Sequence, residues 1–205
     1  MHQITTIIFD LGGVLIDWNP AYVYDKNYFA SAADREFFFE NVCTSEWNEN
    51  QDAGYPLAKA TEEKIKAFPT WEKAIRDFYG RWEDMLGEAI TETVNIFLTL
   101  KQNKNLRCYA LTNWSAETFP IALQRFDFLQ WFDGRLVSGE EKTRKPFPAF
   151  YQLLLDRYHI QPEAALFIDD NLRNVKAAEA LGISSIHYQS PQELRKQLKG
   201  FSLLE

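Results

Sequence analysis

Short apolar or β-branched runs recur along the chain, each stopped by glycine or polar residues. Residues 4–9 end in Asp10-Leu11-Gly12-Gly13, the pattern of a buried strand closed by a glycine pair. Runs of the same kind lie at 106–111, 134–137, 165–168 and 183–187. Between them the period lengthens. Residues 115–126 suit a helix, and Phe150, Leu153, Leu154 and Tyr158 share one helical face. Asn171 is placed to cap a helix with Val175, Ala178 and Leu181 on one side and Gly182 at its end; residues 191–199 give a last helix. This alternation predicts an α/β fold, a parallel sheet covered by helices on both faces.

The stretch 17–92 breaks the alternation. It holds 15 aromatic residues in 76 positions against 16 in the other 129, enough for a small core of its own. Segments 61–68 and 71–86 suit helices. The chain therefore divides into an α/β core, 1–16 with 93–205, and a helical insertion at 17–92.

The 205 residues are 46% apolar and 15% aromatic, which excludes a disordered chain. With 29 acidic against 22 basic side chains the net charge is −7 and no Lys/Arg run stands out, so neither nucleic acid nor an anionic membrane is expected as a partner. Cys43 and Cys108 lack metal-ligand spacing and sit in apolar surroundings, as reduced core cysteines do. The start, Met1 to Thr6, has no basic flank, and the apolar stretch 7–16 is broken by Asp10 and two glycines. A cytoplasmic protein is expected; the pattern sets no oligomeric state.

Ligands of open α/β sheets bind at the carboxyl ends of strands. Four such ends carry polar groups: Asp10, Thr112-Asn113, Lys145-Pro146 after the polar loop 139–144, and Asp169-Asp170. Singly, each has an ordinary explanation as a turn former, helix cap or solvated charge. Together, in parallel strands, they bring three carboxylates, a hydroxyl, an amide and an ammonium to one edge. Crowded carboxylates repel unless a cation joins them, and an all-oxygen set suits Mg²⁺. A divalent metal with a lysine is also what a phosphoryl group in transfer requires, and a carboxylate nucleophile splits its hydrolysis into two steps.

In order and spacing, Phe9-Asp10-Leu11-Gly12-Gly13-Val14, Leu111-Thr112-Asn113, Lys145-Pro146 and Phe167-Ile168-Asp169-Asp170-Asn171 resemble the four motifs of the haloacid dehalogenase superfamily. The likeness runs the length of the chain and includes a helical cap inserted after the first motif. It implies a Rossmann-like three-layer core and Mg²⁺-dependent hydrolysis of a small phosphorylated metabolite, through an aspartyl-phosphate on Asp10. Asp10 is then nucleophile and metal ligand, with the Gly12 carbonyl a second ligand. Thr112 and the Asn113 backbone or amide bind phosphoryl oxygens, and Lys145 neutralises charge. Asp170 holds the metal directly, Asp169 directly or through water, and Asn174 stands behind them.

One position departs from the pattern. Phosphatases of this superfamily usually carry a second Asp two residues after the nucleophile, as general acid and base; here it is Gly12. Three explanations stand open. The substrate has a good leaving group, as an anomeric sugar phosphate or acyl phosphate does; this is the preferred one. Alternatively the insertion supplies the proton through Asp17 or Asp52, or the protein is slow or idle and binds a partner through its cap. Dehalogenases of the superfamily also lack the second Asp, but they use no metal and lack the acidic pair seen at Asp169-Asp170. Receiver domains use similar residue types in the opposite order. In the insertion, Trp18, Trp47, Asn48 and Asp52 combine a stacking face with hydrogen-bonding groups, a set suited to a sugar or polyol, and Trp114 is placed to form another wall.

Overall fold

The computed structural model describes residues 3–204; Met1, His2 and Glu205, at the outer limits of the expected core segments and of the leader reading, lie outside it. β1 (Thr6–Phe9) enters a tight turn in which the Leu15 and Ile16 amides donate to the Leu11 carbonyl at 2.8 and 2.9 Å, and the chain leaves as β2 (Ile16–Trp18). Four helices follow: α1 (Ala32–Phe37), α2 (Ser45–Asp52), α3 (Leu57–Ala67) and α4 (Glu72–Gly80). A 3₁₀ turn at Trp82–Met85 leads into β3 (Leu86–Ala89), which pairs antiparallel with β2. Then come α5 (Thr91–Gln102), β4 (Arg107–Thr112), α6 (Phe119–Arg125), β5 (Gly134–Val137) and α7 (Ser138–Glu141). The chain ends with α8 (Pro148–Tyr158), β6 (Ala165–Asp169), α9 (Leu172–Glu179), β7 (Ser184–His187) and α10 (Pro191–Gly200).

Five strands form one parallel sheet in the order β5-β4-β1-β6-β7, a Rossmann-like core. Strand side chains alternate between its faces. Ile7, Phe9, Cys108, Ala110, Leu166 and Ile168 pack with α5, α6 and α10. Ile8, Tyr109, Leu111 and Phe167 pack with α8 and α9. The chain moves outward from β1 to β4 and β5, then returns to the other side of β1 as β6. That reversal opens a crevice at the carboxyl ends of β1, β4 and β6, which is where the polar groups stand.

The helical insertion has its own core, with Tyr24, Phe38, Trp47 and Phe78 buried together. The divisions expected at 16/17 and 92/93 fall inside β2 and α5; the helices of the insertion lie between the two strands of the short ribbon. Three expected elements differ in extent. The helix expected at 115–126 begins at Phe119, because residues 115–118 form a turn and Pro120 sits in the first helical turn. The helix expected at 71–86 ends at Gly80. The loop expected at 139–144 begins with the helical turn α7. No helix of the described residues is long and apolar enough to cross a membrane.

Candidate active site

Asp10 follows β1 directly, and its amide donates to the Ile168 carbonyl at 2.9 Å, so its position is fixed by the sheet. Its Oδ1 accepts from the Leu11 amide at 2.7 Å and lies 2.8 Å from the Lys145 ammonium. Lys145 is wholly buried and reaches Asp169 Oδ2 at 2.7 Å as well. Asn113 aligns it: the Asn113 amide donates to the Lys145 carbonyl at 3.0 Å and accepts from its backbone N–H at 2.8 Å. The Asn113 side chain is thereby engaged, so of its two expected contacts with a phosphoryl group the backbone remains.

Asp169 is saturated too. Its Oδ1 accepts from the Asn171 amide at 2.8 Å, and Asn174 Nδ2 lies 3.1 Å from both oxygens, so Asn174 supports Asp169. Asp170, next to it, borders the cavity with Asp10. Oxygens of Asp10, Asp169 and Asp170 all lie within 4.8 Å of one another. Three carboxylates share the single Lys145 ammonium, so full ionisation would leave two negative charges uncompensated.

Burial leads the electrostatics, and the crowding of carboxylates adds to it. Burial pushes the Asp10 carboxyl above its ordinary range; Lys145 opposes this, while Asp169 and Asp170 add to it. Asp170 is raised by burial and by Asp169. Burial works against the Lys145 ammonium, but Asp10 and Asp169 outweigh it and hold its proton more tightly. The donor set fits a hard divalent cation: carboxylate oxygens from Asp10 and Asp170, with the Gly12 backbone on the same cavity. Because both Asp169 oxygens already accept hydrogen bonds, that residue suits the water-mediated arrangement of the two expected. Thr112 Oγ1 is buried and has no hydrogen-bond partner among the described residues; Thr112 itself does not border the cavity and lies just behind Asn113, which does.

Above this edge lies a cavity of about 210 Å³. Asp10, Gly12, Gly13, Asn113 and Asp170 border it from the core side; Trp18, Asn48, Asp52, Trp82 and Trp114 complete its walls. Four of the five residues proposed from sequence as substrate contacts therefore meet there. Trp47 does not: it is packed in the core of the insertion, with its ring 5.3 Å from those of Phe78 and Tyr79. The indole that takes part is Trp82, 5.5 Å from Trp114, and nothing in the sequence distinguished it from the other aromatics of the insertion. Gly13 lies within the first motif and closes the cavity beside Asp170. Its φ is +74°, and a Cβ there would come within 2.2 Å of Asp170 Oδ2. Asp17 accepts a hydrogen bond from the Tyr22 hydroxyl and does not border the cavity.

A family model for haloacid dehalogenase-like hydrolases matches residues 4–182. The chain belongs to that family. Among relatives, this hydrolase is 28% identical over 199 residues to drimenol cyclase drtB of Aspergillus calidoustus, covering 96% of the present chain but only 36% of that protein's length. It is 24% identical over 183 residues to a phosphorylated carbohydrates phosphatase of Thermotoga maritima, covering 88% and 83% of the two chains. Among solved structures, a haloacid dehalogenase family enzyme of Bacteroides thetaiotaomicron in its magnesium complex superposes with TM-score 0.70, at 21% identity over 92% and 95% of the chains. The L-2-haloacid dehalogenase of Xanthobacter autotrophicus superposes with TM-score 0.62, at 16% identity over 99% and 85%. Both likenesses speak for the fold of this hydrolase.

Proposed function

We propose that this hydrolase is a Mg²⁺-dependent phosphatase of small phosphate monoesters, with Asp10 as nucleophile and the helical insertion as a cap over the cavity. The observation that carries the reading is the acidic pair beside Asp10: a carboxylate excess, three within 4.8 Å of one another against one buried lysine, with Asp10 and Asp170 bordering the cavity. A metal-free displacement of halide would leave that excess uncompensated at a cost of several kcal/mol, which weighs against the dehalogenase reading.

In this mechanism Asp10, fixed through Oδ1 by Leu11 and Lys145, attacks phosphorus and forms an aspartyl-phosphate. Lys145 balances charge as it moves between the Asp10 carboxylate and the phosphoryl group. Thr112 Oγ1 and the Asn113 backbone receive phosphoryl oxygens. Asp10, Asp170 and the Gly12 carbonyl, with Asp169 behind, would hold Mg²⁺, which would supply compensating charge for the phosphoryl oxygens.

The substrate we assign is small. A cavity of about 210 Å³ falls below the roughly 300 Å³ at which drug-sized ligand pockets begin. Trp18, Trp82 and Trp114 offer stacking faces, and the buried indole N–H groups of Trp18 and Trp114 have no acceptor among the described residues, which suits a ligand bearing oxygens, such as a sugar phosphate. The Thermotoga relative's name is in keeping with that class. Two free, buried cysteines accord with a cytoplasmic setting.

A panel of p-nitrophenyl phosphate, sugar 1- and 6-phosphates and acetyl phosphate, with chloroacetate as halide control, tests this. Phosphate release that needs Mg²⁺ and is lost in Asp10→Asn is expected. Halide release without phosphate release would make the protein a dehalogenase, and silence in both arms would leave it a binding protein.

A further inference from the structure

With Gly12 in place of a second aspartate, the phosphatase mechanism lacks a core residue to protonate the departing oxygen. The sequence offers two acids from the insertion, and the structure separates them. Asp17 is engaged by Tyr22 at the ribbon, away from the cavity wall. Asp52, the last residue of α2, borders the same cavity as Asp10 and Gly12.

We propose that Asp52 is the general acid and base of this enzyme, supplied by the cap in place of the missing core aspartate. The proposal rests on the phosphatase reading above. Asp52 is held where the role requires. Asn48 Nδ2 donates to Asp52 Oδ2 at 3.1 Å, and Asn48 is itself fixed by the Tyr79 hydroxyl at 2.9 Å. The Ser138 hydroxyl, from the core, donates to the Asp52 carbonyl. Glu49, one turn earlier on α2, pairs with Arg144 at 2.8 Å and with Arg173, both from the core. The end of α2 is thus fastened to the sheet edge at several points, with Asp52 at the cavity.

The surroundings favour a proton held near neutrality. Burial, with Glu49 adding, pushes the Asp52 carboxyl up to about 7; the Ser115 amide and Arg144 act in the other direction. The remaining polar and charged neighbours are Asn48 on its own helix, Tyr79 on α4, and Asp10 and Asp170 on the cavity. A group in that range is populated in both forms at neutral pH, which suits successive donation and acceptance.

The chemistry balances. Protonated Asp52 gives its proton to the ester oxygen as Asp10 attacks phosphorus and the bond from phosphorus to that oxygen breaks, its electron pair staying on the oxygen. The alcohol departs. Asp52, now a carboxylate, takes a proton from water as the water oxygen attacks phosphorus and the bond to Asp10 breaks. Phosphate leaves, Asp10 is a carboxylate again, and Asp52 is protonated for the next cycle.

The chain contains its own control. A Cβ at Gly12 would meet no atom within 4 Å, so an aspartate fits there. The test compares the full-length parent, Asp52→Asn and Asp52→Asn with Gly12→Asp on glucose 6-phosphate and p-nitrophenyl phosphate, with thermal melts to verify folding. For Asp52→Asn we expect kcat on the sugar phosphate to fall about 10²–10⁴-fold with KM little changed. The fall of kcat/KM above about pH 7 should disappear. On the aryl ester, phosphorylated enzyme should accumulate, because its hydrolysis has lost the base. The double variant should recover at least about tenfold. Should Asp52→Asn misfold, Asn48→Ala takes its place and must move the alkaline limb. An active parent whose folded Asp52→Asn variant keeps kcat within about threefold and the same pH profile would overturn the proposal while sparing the phosphatase reading. A parent without Mg²⁺-dependent phosphate release would overturn both.

Discussion

Gly12 and Gly13 stand side by side and meet opposite surroundings. Gly13 needs its left-handed φ of +74° and leaves no room for a Cβ, which would strike Asp170 Oδ2 at 2.2 Å; Gly12 faces open space. Gly13→Ala should therefore cost about 1–3 kcal/mol in urea denaturation and raise the Mg²⁺ concentration for half-activation about tenfold, by displacing Asp170. Gly12→Ala should leave stability within about 0.5 kcal/mol. The sequence shows a glycine pair ending a strand but not which member is packed against a carboxylate. The same holds for the indoles. Trp47 and Trp82 are alike in composition and neighbourhood, and only the packing of the insertion puts one in its core and the other on the cavity. Asp10, Thr112 and Asp169 were legible because each stands at a strand end, where an apolar run stops on a polar group; Lys145, eight residues beyond β5, was marked by the polar loop before it and by the proline after it.

At the scale of elements, β1, β4 and β6 read clearly because both faces of the sheet are covered and their runs stay largely apolar. β5 and β7, at the sheet's edges, mix Arg135 and Ser184-Ser185 with apolar residues yet still stand out between helical stretches. β2 and β3 did not. They are three and four residues long, pair irregularly, and mix charged with apolar positions, so no alternation marks them. The role of α2 was hidden for another reason: its partners lie far along the chain, with Arg173 124 residues from Glu49 and Ser138 86 from Asp52. Glu49 joins α2 to Arg144 and Arg173 and also raises the Asp52 carboxyl. Glu49→Gln removes a negative charge and frees two cations, both of which lower the pKa of a neighbouring acid. The alkaline limb of kcat/KM should then shift to lower pH, with a stability loss of about 1 kcal/mol. A pH–rate profile beside a denaturation curve measures both, and an unmoved limb would contradict the coupling.

For the whole molecule, the two parts divide the work. The sheet brings groups from distant stretches of sequence to one edge, as β1 pairs with β4 on one side and β6 on the other. The insertion adds an aromatic wall and, through Asp52, an acid. Residues on the sheet were legible because the topology of a parallel sheet is itself legible; cap residues were legible in part, since Trp18, Asn48 and Asp52 border the cavity while Trp47 and Trp82 exchange places, their placement depending on how the insertion folds and docks. The proposed mechanism turns on covalent phosphorylation of Asp10. Rapid acid quench of the parent with p-nitrophenyl phosphate and Mg²⁺, followed by peptide mass analysis, tests it most directly. A phosphoryl group is expected on the peptide containing Asp10, dependent on Mg²⁺ and missing in Asp10→Asn. Phosphate release by the parent with no such adduct, or an adduct that persists in Asp10→Asn, would contradict it.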